Sequence, residues 1–184
     1  MDVTSMRALV VYESMYGNTH VVAGNIADGL RGTYEVTLVP VASATADLIA
    51  GVDLLVVGAP THIHGLSRAW TRQAARKAAA KPESPLTLDP DAGGTGLRDW
   101  LRGLAAGHAQ AAAFDTRLAG RPLLTGRASR GISRLLKRHG YHLVAPLESF
   151  LVTRRDTLAD GEASRARQWG EALAATAALA VPAA

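Results

Sequence analysis

Short apolar runs suited to strands alternate along this chain with stretches of helical period, and that alternation narrows the fold more than any other feature. Residues 7–12 and 53–58 are rich in Leu and Val, the pattern of strands buried on both faces. Residues 36–39 alternate less cleanly and end at Pro40, as an outer strand can, because proline donates nothing to a ladder. Residues 109–115 make a fourth run, built largely from alanine, a weak strand former. Residues 143–152 make a fifth, in which Pro146 predicts a bend or bulge. Val21, Val22, Ile26 and Leu30 recur at helical spacing after the first run, as do Leu97, Trp100, Leu101 and Leu104 before the fourth. Strand and helix in alternation predict an α/β fold, a parallel sheet with right-handed crossovers and helices on both faces. Five strands fit the doubly wound order 2-1-3-4-5, in which a ligand sits above the carboxyl ends of the first and third strands. A length of 184 residues suits one domain, 1–184, with residues 1–5 as a disordered start.

The first strand-to-helix junction carries Ser14, Met15, Tyr16, Gly17, Asn18 and Thr19. A helix N-terminus presents unpaired backbone N–H groups to an anion, the hydroxyls and the amide add donors, and Gly17 tolerates positive φ. The turn lacks the lysine of a nucleoside-triphosphate loop and the GxGxxG of a dinucleotide site, so a monophosphate suits it best. The same residues can also be a turn with an ordinary N-cap and no ligand. The third run delivers Pro60, Thr61, His62, Ile63, His64 and Gly65 to the same edge of the sheet, where flat imidazoles and a hydroxyl suit a planar heterocycle. His62 and His64 can alternatively be read as half of a metal site, but zinc needs at least three protein ligands and the loop offers neither cysteine nor carboxylate, so no metal is expected there.

The 14–19 turn resembles the phosphate loop of the flavodoxin-like superfamily: a hydroxyl residue, any residue, an aromatic or Thr, then Gly-Asn-Thr. The Pro60-Thr61 segment with its nearby Gly65 resembles the second flavin loop of flavodoxins and flavodoxin-like quinone reductases, with one extra residue before Gly65. Asp115, Thr116 and Arg117 stand at the end of the fourth strand, where that family has its third cofactor loop. The resemblance implies non-covalently bound FMN, the 14–19 loop on its phosphate and the other two loops about its ring, with Arg117 near an anionic reduced ring. It implies an electron carrier or a small FMN-dependent oxidoreductase, such as an NAD(P)H:quinone reductase. No protein nucleophile is required, and no catalytic residue is assigned. No aromatic follows Phe114 before Tyr141, so a flavin here would be covered by histidine, aliphatic groups, the long connection after the third strand, or a partner subunit. The competing reading is a flavodoxin fold that has lost its flavin and serves as a binding or interaction module.

That connection, residues 66–96, predicts a short helix in its alanine-rich part and then a mobile excursion over the binding edge, with Thr95 as N-cap of the next helix. Trp70 lies within it and suits either the core or the neighbourhood of a flavin. Residues 126–140 carry Arg127, Arg130, Arg134 and Arg138 at helical spacing, with Gly140 to end the helix. Such a basic face is either simply solvated or attracts an acidic redox partner or a phosphorylated small acceptor. A net charge of +4 comes with no nucleic-acid reading motif, so nucleic acid is not expected as a partner. Residues 160–180 read as a closing helix with Ala166, Trp169 and Leu173 inward. Cysteine is absent, which excludes disulfides and thiolate chemistry, and no apolar run reaches bilayer length, which predicts a cytoplasmic protein.

Overall fold

In the computed structural model, which describes residues 5–121 and 125–179, strand β1 (Arg7–Tyr12) sends Ala8, Val10 and Tyr12 to one face of a sheet and Leu9 and Val11 to the other. All five are at most 2% exposed, so this strand is buried on both sides, as its unbroken apolar run requires. The chain continues through α1 (Asn18–Leu30), β2 (Glu35–Pro40), α2 (Ala46–Ile49), β3 (Leu54–Pro60), α3 (Ala69–Ala79) and α4 (Leu97–Arg102). It ends with β4 (Gln110–Leu118), α5 (Ala128–Arg138), β5 (His142–Leu143), β6 (Glu148–Val152) and α6 (Glu162–Leu179).

The sheet runs β2-β1-β3-β4-β5, and every pairing is parallel. Val10 lies opposite Leu38 on one side and Val56 on the other. Both β5 and β6 pair with β4, through Ala111 with Leu143 and Phe114 with Glu148. They are successive halves of one outer strand, broken at the Pro146 segment where the sequence predicts a bend. The weak alanine run is a full nine-residue strand, and Ala111, Ala112 and Ala113 are completely buried. Packing on both faces outweighs the poor strand propensity of alanine.

On the first face α1 and α6 pack Val22, Ile26, Leu30, Ala166 and Leu173 against the sheet. Phe114, Phe150 and Trp169 meet there edge to face, with centroids 6.1 to 6.2 Å apart. The two helices cross at Gly29 and Gly170, where a Cβ on Gly29 would stand 2.2 Å from the Arg167 carbonyl oxygen. On the second face α4 and α5 contribute Leu97, Leu101, Ala128, Ile132 and Leu136. Arg165 ties α6 to the outer strand through Glu148 and pairs within its own helix with Glu162, with its guanidinium 4.4 Å above the Phe150 ring.

Where the sequence predicts Thr95 as the cap of α4, the N-cap is Gly96, and the Leu97 N–H donates to the Glu13 carboxylate at 2.6 Å. A buried acid at the end of β1 has taken the role that local spacing assigned to a nearby hydroxyl. The 66–96 connection contains the predicted helix as α3, and Arg72 on that helix donates to the carbonyls of Ala92 and Gly94. Apart from Ser5, the expected disordered start lies outside the described residues, as does residue 180 of the closing helix. No helix of the described residues is long and apolar enough to cross a membrane.

Candidate functional site

β1, β3 and β4 all end at one edge of the sheet, and the chain that follows each of them borders a single cavity of about 360 Å³. Ser14, Met15, Tyr16, Asn18 and Thr19 line it from the first junction, Pro60, Thr61 and His62 from the second, and Thr116 and Arg117 from the third. The three loops singled out in the sequence therefore converge, as the switch point of a doubly wound sheet requires.

The first loop is shaped by its hydrogen bonds. Gly17 has φ +91°, a conformation costly for any residue with a Cβ, and its N–H donates to the Ser14 hydroxyl at 3.0 Å. Among the described residues, the backbone N–H groups of Ser14, Met15, Tyr16, Asn18, Thr19 and His20 find no acceptor within the protein. The loop thus gathers six free donors at the start of a thirteen-residue helix, where the helix dipole is positive. Side chains add little spare capacity. Thr19 Oγ1 is 2.7 Å from Thr116 Oγ1, and the Asn18 amide donates to the Asp156 carbonyl at 3.0 Å. The second of these bonds fastens the loop to the 153–158 turn.

The second loop closes on itself. His62 and Gly65 exchange N–H···O bonds at 2.8 and 3.0 Å around Ile63 and His64, both at positive φ (41° and 68°). That is a two-residue turn of the primed type, which ordinarily takes Asn and Gly. The extra residue noted in the sequence is absorbed here. His62 and Ile63 face the cavity, whereas His64 and Gly65 are not among its lining, and the Gly65 N–H is already engaged. Ile63 is 68% exposed, so a β-branched side chain is held in a left-handed conformation with little packing to compensate. Replacing Ile63-His64 by Asn-Gly is expected to raise unfolding free energy by about 1 kcal/mol, measured by urea denaturation. A decrease would mean that the Ile63 side chain stabilises the loop more than its backbone strains it.

Burial lowers the His62 pKa below its ordinary value; the Glu13 charge opposes this and the Arg72 charge adds to it. The imidazole is therefore neutral at pH 7 and offers the cavity a ring and a neutral hydrogen-bonding nitrogen. The protonated form in which such a ring would favour an anionic ligand belongs to lower pH.

The third loop divides its labour. Asp115 is fully buried and turns away from the cavity, with Oδ2 accepting the Ser129 N–H at 2.8 Å. The Thr61 hydroxyl likewise accepts the Ala128 N–H at 3.0 Å. These two strand-end residues jointly cap α5, whose own N-cap residue, Arg127, supplies no side-chain bond. Arg117 remains at the cavity, held by the Gly120 carbonyl and the Thr125 hydroxyl, with its Nε buried and without a partner among the described residues.

Ile63 and Trp70, both named from the sequence, stand in the walls, and Thr71, Ala74, Ala75, Leu118, Val152 and Asp156, which motif spacing did not reveal, complete them. Trp70, 55% exposed, supplies an aromatic group from α3 in place of one after Phe114, and the Tyr16 hydroxyl donates to the Ala75 carbonyl at 3.0 Å. Asp156 sits at φ +59°, and burial raises its carboxyl pKa. Its folded-state pKa lies above the unfolded one, so its contribution to stability is present below the unfolded value, near 3.8, and lost as pH rises through the folded value. Asp156→Asn, which tolerates the same backbone, is expected to remove that loss and to unfold at higher temperature than wild type at pH 7, with the difference vanishing at pH 3. Parallel melting curves across this range would check it; equal curves would exclude a buried charge at this position.

Residues 10–87 match the family model for flavodoxin. No curated protein sequence matches the chain. Among solved structures, flavodoxin 1 from Bacillus cereus superposes with a TM-score of 0.62 at 20% identity, over 95% of this chain and 99% of that one. A flavodoxin from the domain Archaea gives 0.62 at 18% identity, covering 94% and 99%. A WrbA-like flavodoxin from Agrobacterium tumefaciens gives 0.56 at 21%, covering 95% and 99%. At such identities the likeness speaks for the fold. The fold is the one these flavodoxin structures share, and the sequence match to the flavodoxin model is confined to residues 10–87.

Proposed function

We propose that this protein binds FMN non-covalently in the cavity above β1, β3 and β4 and serves in electron transfer. The observation that carries the proposal is the set of six unpaired backbone N–H donors around Gly17 at a helix N-terminus. A dianionic phosphate suits such a loop, and the residues present fit it: the free donors fall within one turn that has no lysine, and a Cβ is disfavoured at Gly17. Backbone groups of Ser14, Met15, Tyr16, Asn18 and Thr19 would hold the phosphate. Pro60, His62, Ile63, Trp70 and Arg117 would border the ring, with Arg117 providing positive charge and Trp70 excluding water. Thr61 and Asp115 act behind them by fixing α5, and Thr116 acts through its contact with Thr19. When bound, FMN supplies reversible one- and two-electron chemistry, and the protein supplies orientation and electrostatics.

We read the chain as one domain, 1–184, working in the cytoplasm, with the 66–96 connection as the movable cover of the site. The exposed Arg130, Arg134, Lys137 and Arg138 of α5 would favour an acidic redox partner or a phosphorylated acceptor over the basic partners that suit an acidic carrier. Carrier and enzyme differ in one measurement. The protein is reconstituted with FMN, its absorption spectrum is recorded, and NAD(P)H oxidation is followed with a small quinone and no other protein. Turnover identifies an oxidoreductase, whereas flavin binding without turnover identifies a carrier. A spectrum of added FMN unchanged by the protein would leave the flavin-free interaction module as the reading.

A further inference from the structure

Beside the 14–19 loop, at the start of α1, three side chains from distant parts of the sequence meet. His20 lies in the first turns of α1, and Asp89 and Asp91 flank Pro90 in the 66–96 connection. Their donor atoms all lie within 4.8 Å of one another. His20 Nδ1 stands 3.3 Å from Asp89 Oδ2 and 4.0 Å from Asp91 Oδ2.

We propose that His20, Asp89 and Asp91 form a binding site for one divalent transition-metal ion of the zinc type. Asp89 is the most buried of the three. Its side chain is only 1% exposed, yet among the described residues no lysine or arginine stands within 4 Å of it or of Asp91. A buried carboxylate is stabilised by positive charge, and among the described residues the one basic side chain within 4 Å of either acid is a single half-exposed imidazole. A proton on His20 can serve Asp89, but the same N–H does not reach Asp91 at 4.0 Å. An ion at the centre neutralises both carboxylates and takes the Nδ1 lone pair at once.

The spacing suits such an ion. Bonds of about 2.0–2.2 Å to nitrogen and oxygen put tetrahedral ligands roughly 3.3–3.6 Å apart; His20 and Asp89 already stand at 3.3 Å, and Asp91 has to draw in towards them. One imidazole and two carboxylates also fall within the preferences of zinc and its neighbours, whereas a site for calcium would be built of oxygen alone. Each ligand is already oriented. The His20 ring stacks on Tyr12 with centroids 4.6 Å apart, the Tyr12 hydroxyl donates to Asp91 Oδ2 at 2.8 Å, and the Asp91 N–H donates to Asp89 Oδ1 at 2.9 Å. A cavity of about 510 Å³, bordered by Gly17, His20, Asp89 and Pro90, gives the ion a way in and leaves a coordination position for water.

The site stands whether or not FMN fills the neighbouring cavity. The test is calorimetric titration of the chelator-treated, flavin-free chain with Zn²⁺, for wild type, His20→Gln, Asp91→Asn and the double variant His62→Gln/His64→Gln. One ion per chain is expected for wild type and for the His62/His64 variant. The two ligand variants should lose more than the roughly 10–100-fold that removal of an outer-shell partner costs. A second readout uses the unaltered chain: the imidazole NMR signals of His20 should move on adding one equivalent of Zn²⁺, and those of His62 and His64 should not. Absence of stoichiometric uptake, uptake equal in the ligand variants, or perturbation of His62 or His64 in place of His20 would overturn the proposal.

Discussion

Arg72→Ala is expected to lower the unfolding free energy by about 3–5 kcal/mol, because it leaves the Glu13 carboxylate buried without a countercharge. Glu13 is 3% exposed and Arg72 8%, with Nε 3.7 Å from Oε1. The same guanidinium holds the Ala92 and Gly94 carbonyls, while Glu13 holds the Leu97 N–H. The pair therefore clasps both ends of the cavity-covering segment to the end of β1. Urea denaturation should show the loss, and hydrogen exchange should show it concentrated at residues 92–97. The double variant Glu13→Leu/Arg72→Met, which removes both charges, should recover most of the stability. A single-variant loss below about 1 kcal/mol would put the pair in the class of exposed ion pairs and remove its clasping role.

Gly17→Val should abolish measurable FMN binding, with a loss of 4 kcal/mol or more in binding free energy. The estimate follows from the loop's geometry. A branched residue at φ +91° costs about 1–2 kcal/mol, and reshaping the loop to relieve it disperses N–H donors worth about 1.5–3 kcal/mol each to a charged group. Thr19→Ala should do less, since the Thr19 hydroxyl is already bonded to Thr116, and a loss of about 1 kcal/mol is expected. Flavin fluorescence titration separates the two. Equal affinities for wild type and Gly17→Val would remove the loop from the site.

Contiguity decides what could be seen in the sequence. The strands of the sheet and their order were legible because buried parallel strands are written as local apolar runs, and even the break at Pro146 follows from one residue's missing N–H. The 14–19 loop was legible for the same reason, as a single uninterrupted turn. What remained hidden depends on residues far apart in sequence. Glu13 displaces Thr95 as the cap of α4 across 84 positions, and Asp156 reaches the cavity through a turn that carries no motif. Asp115 and Thr61 were legible as polar residues at strand ends, but their bonds to Ser129 and Ala128 depend on where α5 begins. Trp70 could be read as core or as cavity wall until α3 was placed, since helical period alone does not tell which face meets the sheet.

The central claim, that six unpaired N–H groups around Gly17 form a phosphate cradle, is tested most directly by comparing FMN with riboflavin, which share the ring and differ in the phosphate. Calorimetric titration of the flavin-free chain with each is the measurement. The account predicts that FMN binds at least about a thousandfold more tightly, the equivalent of two or more charge-assisted hydrogen bonds. Equal affinity for riboflavin and FMN would contradict it.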